Sequence, residues 1–414
     1  MPAVSKKSKS TAKASNWRSE LDRAIDALFE RQVEIRRHLH QHPEVSGYET
    51  KTTRFLRKQF PKSEFRLQSG PDHRGLIVEP AAQPAGALIG MRADIDALPI
   101  QDTKTVEYCS RTSGVMHACG HDAHAATLVG AIHGLNTLQQ ENHLPWPISW
   151  RAIFQPAEET SMGAREMIDA DALHNVQALL SMHMDPARPV GKVGYRIGTL
   201  TANCLEMEIV IHGQGGHASR PHESLDPIAT GAQLISSIYL FCPRAVDTRD
   251  PVVVTIGQVV GGRNPNVIPD ELTLRGTVRC LGNHELQKTM NHIRQLARGL
   301  EEISGTKISV SFGEGPPSVE NDRDLTKLIR ACATDVLGAD NVQNIRRASM
   351  GGEDFAHYLK HVPGSMFRLG CAISGREPVA LHAQNFDIDE QAMNIGAKIL
   401  ARAVVVWSDL STDE

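Results

Sequence analysis

No run of this chain approaches the roughly 18 consecutive apolar residues that a membrane-crossing helix requires, so a protein without a membrane partner is expected. Seven cysteines (Cys109, Cys119, Cys204, Cys242, Cys280, Cys332, Cys371) lie scattered without paired spacing, and an odd count fits reduced thiols in a cytoplasmic location. A formal net charge of -4, with no basic patch interleaved with aromatics, speaks against nucleic acid as a partner. The sequence also lacks an H-E-x-x-H pair, a G-x-S-x-G elbow and a Walker-type phosphate loop, so zincin, serine-hydrolase and nucleotide-binding readings lose their support. Internal repeats are absent. The opening MPAVSKKSKSTAKAS is basic and rich in Ser and Ala, without the apolar stretch of a secretory signal, and is expected to be a disordered tail over residues 1–16.

At 414 residues the chain exceeds what one hydrophobic core usually serves, and 41% hydrophobic with 22% charged residues is ordinary globular composition. From Trp17 to Phe60 apolar residues recur at helical spacing (Leu21, Ile25, Leu28, Val33, Ile35, Leu39), which predicts a covering helix pair. Short apolar runs then alternate with amphipathic stretches: ALIGM at 87–91, a helix over 123–138, ISWRAIF at 148–154, a helix over 164–170 and ALLSM at 178–182. Such alternation predicts an α/β fold with a mixed, largely parallel sheet sandwiched by helices. Between 198 and 312 the texture becomes β-rich (LEMEIVIHG, PVVVTIGQVVGG, ELTLRGTVRCLG), with helices expected over 226–239 and 286–303. The expected organisation is therefore a first domain over 17–197 and 313–414, interrupted by a compact α+β insert over 198–312.

The residues of chemical interest follow the apolar runs, where ligand crevices form in open α/β sheets. Cys119-Gly120-His121-Asp122-Ala123-His124 brings a thiol and two imidazoles together ahead of a helix. Cys119 and His121, two apart in an extended segment, can converge on one ion, while the bland alternative is a helix start that holds histidines, with Asp122 as its N-cap. Glu158 and Glu159 sit in a turn after a strand and a proline. Either they form a solvated acidic loop, or one binds metal while the other takes a proton from water, the division that metal-assisted hydrolysis needs. His183 follows an apolar strand and His382 lies in a late loop; Cys119, His121, Glu159, His183 and His382 together make five N, O and S donors, enough for two ions sharing a water. Asp94 and Asp96 stand at another strand end, with Asp96 the candidate for orienting a ligand imidazole and Asp94 also readable as a turn residue. Within the insert, His217 beside a Gly-rich turn and Asn266 between two prolines can donate to an oxyanion or substrate carboxylate, or can simply be turn residues. MGGEDF, Met350 to Phe355, reads as a helix start or as a site contact.

MRADIDALP, MHACGHDAH, FQPAEE, SMHMDP, GGHASRPH, NVIPD, GGEDF and LHAQNFDIDE occur in the order seen in the amidohydrolase branch of the zinc aminopeptidase/carboxypeptidase-like superfamily. The chain resembles the hippurate hydrolases, N-acyl-amino-acid amidohydrolases and auxin-conjugate hydrolases of that branch from about Glu34 to Gly396. The resemblance implies two divalent ions per subunit (Zn, Mn, Ni or Co) held by Cys119, His121, Glu159, His183 and His382, with Glu158 as general base and Asp96 supporting a ligand. It implies a ferredoxin-like insert that serves as satellite or lid and makes a homodimer, with His217 and Asn266 reaching substrate from either subunit. The activity implied is hydrolysis of a small-molecule N-acyl amino acid to a carboxylic acid and a free amino acid. A dipeptidase or aminopeptidase on the same scaffold, a silent metal-binding module, and thiol chemistry at Cys119 are the alternatives. Thr160-Ser161-Met162-Gly163 and the Ala of CGHDAH depart from the usual family pattern, touching no implied ligand but bearing on the acyl pocket.

Overall fold

The computed structural model describes residues 8–410 apart from Ala85. Thr199–Val319 and Arg347–Ala356 form one compact unit and the rest of the described chain forms another. The inserted unit thus runs to Val319, beyond the 312 expected, and takes in the Arg347–Ala356 segment as well. Of the expected tail, the first seven residues lie outside the described part; from Ser8 the backbone is helical to Asp26.

The larger unit is built on one eight-stranded sheet. Its order is Phe65–Ser69, Leu76–Pro80, Trp150–Gln155, Leu88–Asp94, Val176–Pro189, Gly364–Ala372, Val193–Tyr195 and Val342–Asn344. The centre is parallel: Leu88–Asp94 pairs in parallel with Trp150–Gln155 and with Val176–Pro189, which pairs in parallel with Gly364–Ala372. Leu88–Asp94 and Trp150–Gln155 are buried at every position, as strands covered on both faces must be. Ser8–Asp26, Phe29–Gln41, His121–Gln140, Arg323–Leu337 and Gln391–Leu410 pack with the sheet into one continuous apolar core. The helix pair expected over Trp17 to Phe60 is three helices. Pro43 disfavours helical backbone at His42, which closes Phe29–Gln41, and Thr50–Arg57 starts afresh.

The smaller unit has four antiparallel strands in the order Val252–Gly261, Glu271–Cys280, Asn203–His212 and Lys307–Phe312. Two helices, Pro227–Ala245 and Asn283–Ser304, share a core with them, and the chain path β-α-β-β-α-β makes this a ferredoxin-like unit. The first helix starts where the sequence says it should: Asp226 accepts from the Ile228 and Ala229 N–H groups, and Pro227 stands in the first turn. MGGEDF opens a short helical stretch, Asp354–Lys360.

One glycine bears directly on the chemistry. Residues 156–162 turn sharply between Trp150–Gln155 and the helix Gly163–Asp169, with Ala157 and Ser161 at left-handed φ of 51° and 58°. The Ser161 N–H donates to the Glu158 carbonyl and the Gly163 N–H to the Ala157 carbonyl, at 2.8 and 3.1 Å, so the turn folds back on itself. A Cβ at Gly163 would fall on the Pro156 carbonyl oxygen, far inside contact distance, and only backbone movement could relieve it. Gly163→Ala should therefore cost about 2–3 kcal/mol of stability, measured as a lowered urea midpoint at unchanged m; a variant as stable as wild type would mean the turn is not fixed as described.

Candidate metal centre

The larger unit gathers the candidate donors at the carboxyl ends of its central strands. Asp94 closes its strand and Asp96 follows; Glu158 and Glu159 follow Gln155. His183 lies inside the strand Val176–Pro189 rather than after it. The ladder with Leu88–Asp94 nevertheless ends at Ser181 opposite Arg92, so His183 stands just beyond that neighbour while still paired to Arg368 on the other side. Gly120, at φ 89°, turns the chain between Cys119 and the helix His121–Gln140 and is its N-cap. Asp122 is therefore inside the first helical turn and not the cap considered from sequence; its carboxylate takes Arg36 Nε at 3.0 Å and His40 Nδ1 at 2.7 Å.

Each candidate donor atom lies near others. Cys119, His121 and His183 present atoms all within 4.8 Å of one another, as do Cys119, Glu159 and His382, and also His121, Glu158 and Glu159. Cys119 Sγ is 3.5 Å from His183 Nε2; Glu159 Oε1 is 3.5 Å from His382 Nε2 and 3.9 Å from His121 Nε2. The three sets share members, as donors around two neighbouring ions would.

Backbone carbonyls decide the imidazole tautomers. His183 Nδ1 donates to the Met184 carbonyl at 2.8 Å, so its Nε2 lone pair faces Cys119. His121 Nδ1 donates to the Asp96 carbonyl at 3.0 Å and approaches Asp96 Oδ1 at 3.2 Å, which leaves Nε2 toward Glu159. His121 Nε2 and Glu159 Oε1 are both buried and make no hydrogen bond among the described residues. Burying such atoms without a partner costs about 1–3 kcal/mol each, and a cation between them would satisfy both. The chemistry of the set, thiolate, imidazole and carboxylate, suits divalent transition ions, so the residues present fit a dinuclear metal group.

Charge supports this geometry. Although burial opposes it, Asp94 and the bond to Asp96 push His121 well above the usual imidazole range, so a metal ion would displace a proton there. Burial, with Arg368 and His124 adding to it, holds His183 well below that range, in the neutral form a ligand needs. Burial pushes the Cys119 thiol up, so without a cation it stays protonated.

Asp96 does more than orient His121. Its other oxygen accepts from Ser46 Oγ at 2.7 Å and from the Glu159 N–H at 3.0 Å, tying the Glu turn to the His121 helix. Asp94 takes Arg92 Nη1 at 2.7 Å and His124 Nδ1 at 2.5 Å. His124 Nε2 accepts from the Met184 N–H at 2.9 Å, so both nitrogens of the second imidazole of the hexapeptide are spent on structure. His217 and Asn266 lie in the smaller unit, side by side: Gly216–His217 pairs with Val267–Ile268, and the Ala218 N–H donates to the Asn266 carbonyl at 3.1 Å. His217 Nδ1 accepts from the Ser219 N–H at 3.1 Å, so the neutral ring carries its proton on Nε2.

Sequence reasoning passed over Glu49. Its Oε1 accepts from the Gly47 N–H at 2.9 Å and from the Ala157 N–H at 2.8 Å, fastening the left-handed residue next to Glu158. The available signal was the polar density of RRHLHQHPEVSGYE, which a covering helix does not need. Burial, with Asp96 adding to it against the backbone bonds, raises Glu49 from 4.5 to about 7. The folded chain thus holds this proton more tightly than the unfolded one, and the contribution of Glu49 to stability falls as pH rises from 4.5 through 7. Glu49→Gln, which keeps the acceptor and cannot ionise, should gain on wild type by up to about 3 kcal/mol between pH 5 and pH 8, seen as a growing difference in melting temperature. A difference independent of pH would contradict the burial of an ionising group.

The chain matches the profile of Peptidase family M20/M25/M40 over residues 90–405. It is 37% identical over 395 residues to a probable hydrolase of Synechocystis, covering 95% of this chain and 100% of that one. It is 36% identical over 384 residues to N-acetylcysteine deacetylase of Bacillus subtilis, covering 92% and 98%. Among solved structures it superposes with a TM-score of 0.79, at 34% identity, on the Bacillus subtilis YXEP protein, described as a dinuclear metal-binding peptidase of the M20 family, with 93% of this chain and 99% of that one covered. With more than three quarters of its length inside the family profile, and relatives aligned nearly end to end, this chain belongs to Peptidase family M20/M25/M40.

Proposed function

We propose that the chain is a metal-dependent amidohydrolase that cleaves the amide bond of a small N-acyl amino acid, releasing a carboxylic acid and a free amino acid. The observation that carries this reading is the convergence of Cys119, His121, Glu159, His183 and His382, with two buried ligand atoms among them that make no hydrogen bond among the described residues. A family whose members include a deacetylase of an N-acetyl amino acid supports the substrate class. Two divalent ions at these donors would lower the pKa of water and polarise the scissile carbonyl.

In this reading Glu158 takes the proton from the attacking water and returns it to the leaving nitrogen as the C–N bond breaks, and Asp96 holds His121 in the tautomer that faces the site. His217, presenting an Nε2–H donor, and the Asn266 amide are assigned to the oxyanion or the substrate carboxylate. Glu158→Gln in metal-loaded protein should lower release of free amino acid from N-acetyl and N-benzoyl substrates about 100-fold or more, with metal content unchanged. Dipeptides cleaved in preference to acyl substrates would point to a peptidase instead, and a fully active variant would remove Glu158 from its role.

The smaller unit is also proposed to carry a homodimer contact. Val252–Gly261 is an edge strand that among the described residues pairs only with Glu271–Cys280, and it exposes Val259 at 55% and Val260 at 52%. Tyr239, Leu240 and Phe241, on a helix of the same unit, are 46%, 50% and 43% exposed. An unprotected apolar edge of this kind is a template for pairing with a second copy. Light scattering should give twice the 45.3 kDa chain mass, and Val259→Lys with Val260→Lys should return it to one; a wild-type monomer would refute the contact.

A further inference from the structure

The candidate donors come from chain segments far apart in sequence, and His382 is the least self-supporting of them. Its side chain is half exposed, and its backbone is left-handed at φ 65°, a conformation that costs a residue with a Cβ about 1 kcal/mol or more unless the surroundings impose it. One hydrogen bond ties it directly to the other ligands: the His382 N–H donates to the Ala118 carbonyl, one residue before Cys119, at 2.8 Å.

Behind that bond stands a fully buried guanidinium. Arg36 Nε donates to Asp122 at 3.0 Å, Nη2 to Asp387 at 2.7 Å and Nη1 to Glu390 at 3.1 Å. Asp122 is the residue after His121, and Asp387 lies five residues after His382. Tyr108 completes the joint, its hydroxyl donating to the second oxygen of Asp387 at 2.7 Å and its ring lying 4.7 Å from both the Arg36 and Arg37 guanidinium carbons. Arg37 in turn forks onto Glu390 at 3.0 and 2.7 Å.

We infer that Arg36 is a positioning residue that fixes the distance between His382 and the Cys119–His121 pair, and through it the affinity of the ion that Cys119, Glu159 and His382 would share. The inference rests on the ligand assignment proposed above. Only a planar guanidinium can address three carboxylates along three fixed directions at once; a lysine offers one charged point. The two tethers to the C-terminal segment differ from the tether to the helix start, so they can be cut separately. Asp387→Asn weakens the link behind His382 while leaving Asp122 paired.

Cobalt(II) titrated calorimetrically into the metal-stripped full chain tests this. Wild type should take up two ions. Asp387→Asn and Arg36→Lys should keep the first affinity and weaken the second at least tenfold, with activity restored by excess cobalt. The unchanged first affinity separates positioning from general damage, because a loosened fold would weaken both ions together, whereas excess cobalt stabilises any native state it binds. Two unchanged affinities in both variants, or equal weakening of both ions, overturns the inference. Fewer than two ions bound by wild type overturns the ligand assignment itself, and this inference with it.

Discussion

Everything at the centre of the larger unit depends on keeping the Nε2 of His121 and the Oε1 of Glu159 buried beside each other with no hydrogen-bond partner among the described residues. Two such atoms are a net cost to folding, and a protein core usually avoids them. Here the cost is offset by a rigid surround: Asp96 reaches the His121 ring, the Glu159 backbone and Ser46, and Glu49 reaches the backbone of Ala157. With both the helix start and the Glu turn held, the donors cannot rotate away to find each other. The arrangement keeps its ligating atoms available because the Asp96, Asp94 and His124 groups beside them are already engaged with other partners.

The fold distributes this work between strand ends and helix starts. Parallel strands deliver Asp94, Glu158 and His183 to one edge of the sheet, since parallel order puts all their carboxyl ends on the same side. The second layer is electrostatic. Arg92 and His124 saturate Asp94, and Arg36 and His40 saturate Asp122, so these two buried acids are spent as supports. The backbone carbonyls of Asp96 and Met184 choose which nitrogen of His121 and of His183 looks inward. The orientation of these imidazoles is therefore set by main-chain acceptors.

Much of the architecture was legible in the chain. Apolar runs of strand length separated by amphipathic stretches marked the central parallel strands, and the switch to alternating β segments marked the ferredoxin-like unit. Local rules failed at the edges. The helix Phe29–Gln41 ends at a proline that the apolar spacing alone did not register, and the strand carrying His183 continues to Pro189 because it remains paired on one side. Asp122 looked like a helix cap because Asp favours that position, yet a left-handed glycine took it. His124 stood two residues from a candidate ligand, and only the Met184 N–H on its Nε2 shows that it supports the site.

The sequence by itself determined the class of chemistry: thiol, imidazole and carboxylate at strand ends, a helix start and a late loop, in an order that resembles one family of hydrolases. Residue types and near-neighbour spacing encode it, because a ligand must carry a particular donor atom at a fixed place in its segment. Tertiary structure alone decided which tautomers the donors hold, and that Glu49 and Arg36 brace the segments that carry them. Those contacts join residues separated by as many as 354 positions, as between Arg36 and Glu390, and no local spacing can announce a bond between groups brought together only when the sheet and its helices close around a common core.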